Sequence, residues 1–432
     1  MQLNLSALDI NPDNLVFTLN ENSRDHLTSD EQTYNDQTAP LFLNHMLLDA
    51  VGAGASDIHF EPFADNLRIR LRVDGVMQEI HSLPAGFGRQ LVIRLKVIAG
   101  LDISEHFGTQ SGRFRMQLND TTGLDFRCSI TPTLYGETVV LRLLHLPESL
   151  LDLGTLGLTP TQIQQVKLAG QRQQGMILVT GPTGSGKTVT LYTLLKQLNT
   201  QQRNIYTVED PVEINLPGVN QINISARQSI TFGNISRSIL RQDPDVIMLG
   251  EMRDEETIDT AIKAAHTGHL VLSTLHATSA TKAIPRLRNL GVDDHNIAST
   301  LSLVISQRLL RKLDPENREP DEVPEQRLRD LGLNADEIQN LQLYRAKPID
   351  SHTTGYKGRV GIFQVLPITR ELEHLIAEGA NDQHLETFAQ EHNFMSLRRA
   401  ALEHLKAGIT DINEVERVLG LTDNTAAQQE GT

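Results

Sequence analysis

The residues of this chain best placed to do chemistry form one run, Gly-Pro-Thr-Gly-Ser-Gly-Lys-Thr at 181–188, directly after the strand-like Gly-Met-Ile-Leu-Val-Thr. The run fits G-x-x-x-x-G-K-[ST], the phosphate-binding loop. Gly181, Gly184 and Gly186 let the backbone curl until its N–H groups point inward at phosphate oxygens. Pro182, Thr183 and Ser185 fill the loop, and Val189 opens a helix whose positive N-terminal end meets the same phosphates. Lys187 is expected to reach the β- and γ-phosphates, and the Thr188 hydroxyl to ligate Mg²⁺. ATP and Mg²⁺ are therefore the expected cofactors.

Three further segments bring acids and histidines to strand ends. NIYTVEDPVE (204–213) ends a strand with Glu209 and Asp210. These carboxylates are expected at the ligand-facing edge of a parallel sheet. Glu209 would orient the attacking water, and Asp210 is a candidate for Mg²⁺-bound water. LRQDPDVIMLGEMRDEET (240–257) holds a Walker B-like strand ending in Glu251, where a glutamate can polarise water against the γ-phosphate. Asp243 and Asp245 precede that strand as turn residues, and Arg253 and Asp254 read as caps of the next helix. TGHLVLSTLHATSA (267–280) sets His269 before a strand and His276 after it. His276 stands where a γ-phosphate sensor belongs, with a structural hydrogen bond as the alternative for both histidines.

The elements that must position these groups are legible as patterns. GMILVT, NIYTVED, DVIMLGE and HLVLSTLH carry little polar interruption, as suits parallel strands buried on both faces of a doubly wound sheet. Upstream, Leu41, Met46, Leu47 and Val51 keep helical spacing. In NLRIRLRVDG, Leu67, Ile69, Leu71 and Val73 alternate with Arg68, Arg70 and Arg72, a half-buried strand closed by an Asp74-Gly75 turn. A helix over about 88–100, a hairpin (GRFRMQL, LDFRCSI) and VVLRLL complete an α+β module.

The domain reading is a polar leader or linker at 1–40, the α+β module at 41–147 and a linker at 148–156. An ATPase domain follows at 157–312, then a polar subdomain at 313–362, a helical subdomain at 363–420 and a disordered tail at 421–432.

With 432 residues the chain can build several cores. Its formal charge of −15 argues against broad nucleic-acid binding, while leaving room for a local basic groove. Cys128 is the one cysteine, so no internal disulfide and no cysteine-rich metal site is expected. No apolar run approaches bilayer length, and the first residues do not read as a signal peptide. A cytoplasmic location follows as the expectation.

Taken together, SDIHFEP, RLRVDGV, LVTGPTGSGKTVTLY, TVEDPVE, LRQDPDVIMLGEMRDEET and TGHLVLSTLHA, in this order, resemble the secretion ATPases. These are the type II secretion E proteins and the type IV pilus assembly ATPases. The resemblance spans about Asp49 to Gly420. It implies a RecA-like P-loop ATPase domain preceded by a PAS-like domain, assembled as a homo-hexamer. It also implies a location peripheral to the inner membrane, where a platform protein and a cytoplasmic recruiting protein are the partners. Nucleotide would bind between the two domains, with Arg127 and Arg142 neutralising phosphate charge, and Arg237 and Arg241 also matching family arginines. Many relatives bind Zn²⁺ through two C-x-x-C pairs. Asp314 and Asn317 stand at the first pair, Pro348 and Ser351 near the second, so no zinc is expected. Arg359 would serve a subunit contact. The resemblance does not choose between secretion, pilus extension and DNA uptake. Other readings are a nucleotide-gated scaffold without turnover and a DNA-translocating motor.

Overall fold

The computed structural model describes residues 15–19, 38–119, 122–144, 151–224, 232–339, 341–348 and 354–420. Most of the expected leader and the expected tail at 421–432 lie outside these residues. The chain forms two compact units, one ending at Leu146 and the other starting at Pro147.

In the first unit, β1 (Val16–Leu19) and α1 (Thr38–Gly52) precede the antiparallel run β2 (Ala55–Pro62), β3 (Asn66–Val73) and β4 (Val76–Pro84). α2 (Ala85–Ile98) then leads to β5 (Gln110–Gln117), β6 (Gly123–Thr133) and β7 (Gly136–Leu144). The seven strands form one sheet in the order β1-β5-β6-β7-β2-β3-β4. The period-2 alternation decides which face is covered. Leu67, Ile69 and Leu71 point into a core with Phe60, Phe114, Phe126 and Leu141, which α1 and α2 close with Leu43, Leu47, Leu91 and Leu95. The arginines between them fall on the other face. The β3–β4 turn runs through Asp74 and Gly75 at φ +49° and +85°, the left-handed pair that a two-residue hairpin needs.

The second unit opens with α3 (Pro160–Gly170), whose Thr159 caps it reciprocally with Gln162. Then come β8 (Gly175–Thr180), α4 (Lys187–Leu198), β9 (Ile205–Glu209), β10 (Asn220–Asn223), α5 (Phe232–Ile239), β11 (Val246–Leu249), α6 (Glu255–His266) and β12 (Leu270–Leu275). α7 (Ala283–Asn289), α8 (Asp294–Thr300) and the long β13 (Leu301–Leu313) follow. The sheet order is β10-β9-β11-β12-β8-β13-β16, where β16 is Tyr356–Pro367. Six strands are parallel and β16 is an antiparallel edge. Every residue of β8, β11 and β12 is buried, as the uninterrupted apolar runs require.

The pairing of β13 with β16 runs from Leu303–Pro367 to Leu313–Tyr356, so the sheet continues past residue 312. Between those two strands lie β14 (Arg318–Asp321), α9 (Glu325–Asp330), α10 (Ala335–Ile338) and β15 (Leu343–Ala346). Four helices end the described chain: α11 (Arg370–Ala377), α12 (Asp382–Glu391), α13 (Leu397–Lys406) and α14 (Ile412–Leu419). α11 and α12 extend the main core through Leu372, Ile376 and Leu385. α13 and α14 form a second core with Leu310, Leu331 and Ile362.

Candidate functional site

β8 delivers the phosphate loop to the edge of the sheet where all its parallel neighbours also end. Gly181, Gly184 and Gly186 take φ of +151°, +78° and +87°, conformations that a side chain resists. Space excludes side chains at two of them. A Cβ at Gly181 would lie 2.5 Å from the Gln307 carbonyl oxygen and from Ser185 Oγ, and one at Gly186 would lie 2.8 Å from Gln307 Nε2. Gln307 on β13 is thus the floor of the loop. It is buried, and its Oε1 accepts from Thr190 Oγ1 of α4 at 2.7 Å. Neither Gln307 nor Thr190 was expected from sequence. The signal was there, since Ser306, Gln307 and Arg308 follow the apolar Leu303–Ile305, but only the β8–β13 pairing shows what they face.

Lys187 Nζ folds back onto the loop and donates to the carbonyls of Gly181 (2.9 Å) and Pro182 (3.0 Å). Desolvation lowers its pKa, against the nearby Glu251 charge and with help from Arg308. Arg308 is a cation that the sequence did not single out. Its guanidinium donates to the carbonyls of Gln307 (3.0 Å) and Thr278 (2.8 Å), which ties β13 to the segment after His276. The cradle fits a polyphosphate: the glycines leave room, and among the described residues the Lys187 ammonium donates to neutral carbonyls. Thr188 is exposed on the first turn of α4, where its hydroxyl is open to a Mg²⁺ ion carried by the nucleotide. Pro182, Thr183 and Val189 lie along the same rim.

Glu251 follows β11 and Glu209 ends β9, adjacent strands in register. Only Gly250 stands between them, where a Cβ would be 3.2 Å from the Val208 carbonyl and 3.5 Å from Glu209 Cα. Their environments differ sharply. Glu251 accepts from Arg253 Nε at 2.8 Å and pairs with His276 Nε2 at 2.9 Å. Partial burial would raise its pKa, but the Arg253 hydrogen bond and the charges of Arg253, His276 and Lys187 together hold it below the usual value. Glu209 is buried. It accepts from Tyr192 Oη, from Thr207 Oγ1 at 2.6 Å and from Gln221 Nε2 at 3.3 Å. Desolvation outweighs those bonds and raises its pKa.

The structure brings Lys187, Glu251, His276 and Arg253 into one charged cluster. Arg253 turns back to Glu251, while Asp254 alone caps α6 by accepting from Thr257 N at 2.8 Å. The expectation that both residues cap the helix therefore holds for Asp254 only. Asp210 is exposed, and its charge adds to the Glu251 hydrogen bond and charge that raise the Arg253 pKa. His269 and Asp245 sit at the opposite edge of the sheet, where the strands begin. His269 Nδ1 meets the Ala264 carbonyl at 3.0 Å, and Asp245 accepts from Asn204 N at 2.7 Å.

The family model described as Type II/IV secretion system protein matches residues 32–417. The chain belongs to that family. Among its curated relatives, the type IV pilus assembly ATPase PilB of Acinetobacter baylyi is 45% identical over 379 residues, 87% of this chain and 66% of that protein. PilB of Pseudomonas aeruginosa is 45% identical over 92% of this chain and 70% of its own length. The type II secretion system ATPase E of Vibrio cholerae is 42% identical over 89% of this chain and 76% of its length. The chain thus spans about two thirds of the PilB proteins. Among solved structures, the Legionella pneumophila ATPase DotB superposes with a TM-score of 0.65 at 21% identity, covering 92% of this chain and 99% of that one. The pilus retraction motor PilT with bound ADP gives 0.59 at 24%, covering 89% and 98%. Both show the α/β fold.

The residues that the family resemblance singled out are placed as follows. Arg127 and Arg142 stand directly opposite each other on β6 and β7. Arg142 is ion-paired, donating from Nε to Asp57 Oδ1 at 2.8 Å. Arg237 on α5 pairs with Glu256 at 2.5 Å on the surface, and Arg241 lies exposed beyond the helix. At the positions of the first zinc pair, Asn317 Nδ2 donates to Asp314 Oδ2 at 2.8 Å. Pro348 follows β15, and Ser351 is outside the described residues. Arg359 lies on β16 opposite Arg311.

Proposed function

We propose that this chain is the ATP-hydrolysing subunit of a machine that assembles a type IV pilus or a type II secretion pseudopilus. The observation that carries this is the meeting of the glycine cradle and Lys187 with the Glu251–Arg253–His276 cluster at one sheet edge. In this reading the loop N–H groups and Lys187 hold the phosphates, and Thr188 holds Mg²⁺, which supplies charge neutralisation when bound. Glu251 stays ionised and orients or deprotonates the attacking water. His276 reports the state of the γ-phosphate to Glu251 through their contact. Arg127 and Arg142, on the sheet of the first unit, carry the phosphate-neutralising role that the family resemblance implies for them. Glu209 and Asp210 act from the neighbouring strand end.

The finer architecture is part of the proposal: a PAS-like first unit, a RecA-like second unit and a homo-hexamer. The machine's inner-membrane platform protein and a cytoplasmic recruiting protein would be its partners. No described helix is long and apolar enough to cross a membrane.

The test is Mg²⁺-dependent phosphate release from the purified protein, with ATP binding measured in parallel. Lys187→Ala is expected to abolish both. Glu251→Gln is expected to keep binding and lose turnover by about 10²–10⁴-fold. Wild-type turnover in either variant refutes the assignment.

A further inference from the structure

Arg308 stands beside the phosphate loop with no task in the mechanism above. Ser306 is opposite Thr180, the last residue of β8, so Arg308, two residues further along β13, is level with the start of the loop. β8 lies between β13 and β12. The guanidinium that reaches from residue 308 to the Thr278 carbonyl, at 2.8 Å, therefore crosses the carboxyl end of β8, a span of two strand spacings or about 10 Å. Its other arm donates to the Gln307 carbonyl at 3.0 Å. That same carbonyl oxygen is the atom a Cβ at Gly181 would meet at 2.5 Å. One fork thus joins the floor of the phosphate loop to the segment that follows β12.

That segment, 276–281, opens with His276 and is anchored at its far end. Ala280 N donates to Gln364 Oε1 on β16 at 2.9 Å, and Thr281 Oγ1 donates to Glu386 on α12 at 2.7 Å. Ala280 and Thr281 are buried, while His276 and Thr278 are exposed and belong to no helix or strand. Among the described residues, and apart from the sheet ladder, the bond from Arg308 is the one hydrogen bond to the backbone of 276–279. Yet His276 Nε2 has to stay 2.9 Å from Glu251 Oε1 for the charged cluster to exist. An exposed stretch without secondary structure does not hold such a distance by itself. Among the described residues Arg308 has no carboxylate within 4 Å to draw it elsewhere. Its planar fork suits two carbonyls that lie to either side, which a single ammonium would serve less well.

We propose that Arg308 is a positioning residue for hydrolysis, clamping the segment after β12 to the floor of the phosphate loop so that His276 stays on Glu251. This rests on the functional reading above, in which Glu251 meets the attacking water and His276 acts through their contact. Arg308 acts through His276. The two ends of the clamp are the Gln307 carbonyl under the loop and the Thr278 carbonyl two residues past His276. The His276–Glu251 pair is thus set from the strand that floors the phosphate site. Nucleotide binding does not need the clamp, because the glycines, Lys187 and the Gln307 side chain are placed without it. Turnover does.

The experiment uses the full chain. Binding of the β,γ-imido analogue of Mg-ATP is read by calorimetry, and turnover by Mg²⁺-dependent phosphate release. Arg308→Ala is expected to keep affinity within about twofold and to lose kcat by about tenfold to a hundredfold, the scale for a catalytic group displaced by about 1 Å. Arg308→Lys keeps the charge without the fork, and its kcat should fall between wild type and Arg308→Ala at unchanged affinity. The deciding measurement pairs each variant with His276→Ala. Once His276 is gone, Arg308→Ala should lower kcat by no more than about a further twofold, since the clamp has nothing left to hold. Should Arg308→Ala fail to fold, Arg308→Lys carries the same cycle. The full loss repeated in the double variant overturns the proposal. So does a fall in affinity in step with kcat, which would mean a collapsed loop floor. Wild-type kcat in Arg308→Ala, with turnover lost in Glu251→Gln, overturns the clamp and spares the functional reading. Wild-type turnover in Lys187→Ala overturns that reading itself.

Discussion

Gly186→Ala and Gly184→Ala differ in one respect that the structure makes measurable. Both glycines hold left-handed φ, +87° and +78°, so each alanine carries the same backbone cost, roughly 1–2 kcal/mol. At Gly184 nothing lies within 4 Å of the new Cβ. At Gly186 the Cβ would sit 2.8 Å from Gln307 Nε2, and the amide has nowhere to go, because its Oε1 holds Thr190 and the residue is buried. Overpacking of this kind costs about 1–3 kcal/mol, and a displaced Gln307 also forfeits about 1 kcal/mol of hydrogen bond to Thr190. Gly186→Ala should therefore destabilise the second unit by about 2–4 kcal/mol more than Gly184→Ala. Urea unfolding of the nucleotide-free protein reads the difference, taken from the transition of the second unit. Adding Gln307→Ala to each variant completes the argument. It should rescue a large part of the Gly186→Ala excess and nothing of the Gly184→Ala cost. Equal destabilisation by the two alanines, or no coupling to Gln307, would show that Gln307 does not floor the loop.

Other consequences are checked more briefly. Glu209 has a raised folded pKa, so its effect favours the fold below the unfolded carboxyl pKa and is lost as pH rises through the folded value. The melting temperature of Glu209→Gln relative to wild type should accordingly be higher at pH 8 than at pH 5. Cys128 is buried and its thiol is pushed up to about 12 by desolvation, so it should resist alkylation at pH 8 until the first unit unfolds, as mass spectrometry after an iodoacetamide pulse would show. Glu414 is fully buried between Arg311 at 2.8 Å and Arg417 at 2.6 Å. Glu414→Leu leaves two cations without a counter-ion and should cost about 3–5 kcal/mol of stability, read by urea unfolding.

How much of this was legible depended on whether a neighbour in sequence or a neighbour in space set the signal. The phosphate loop was legible because its chemistry is local: glycines for the curl, a lysine and a threonine at fixed offsets, a strand before and a helix after. The strand alternation of Leu67–Val73 and its turn were legible for the same reason. Gln307 was not, because its role comes from lying beside β8 after more than a hundred residues of intervening chain. Arg253 looked like a cap because capping is a local pattern, and its turn back to Glu251 depends on the loop's path after β11.

The two glutamates at the strand ends show what the sequence alone leaves undivided. Both follow strands and both occupy the ligand-facing edge, so composition gives them one role. Environment gives them two. Glu251 is partly open and surrounded by Arg253, His276 and Lys187, which favours its charged form and leaves it able to meet a water. Glu209 is enclosed, with both oxygens already accepting from Tyr192, Thr207 and Gln221, which leaves little free capacity for a substrate water. Tyr192 lies on α4, the helix that the phosphate loop opens, and its hydroxyl also accepts from Glu213 N at 3.1 Å. Glu209 therefore joins the P-loop helix to the segment after β9. This environment supports the water-activating role proposed for Glu251. The contacts of Glu209, whose proposed role is to act from the neighbouring strand end, also tie α4 to β9.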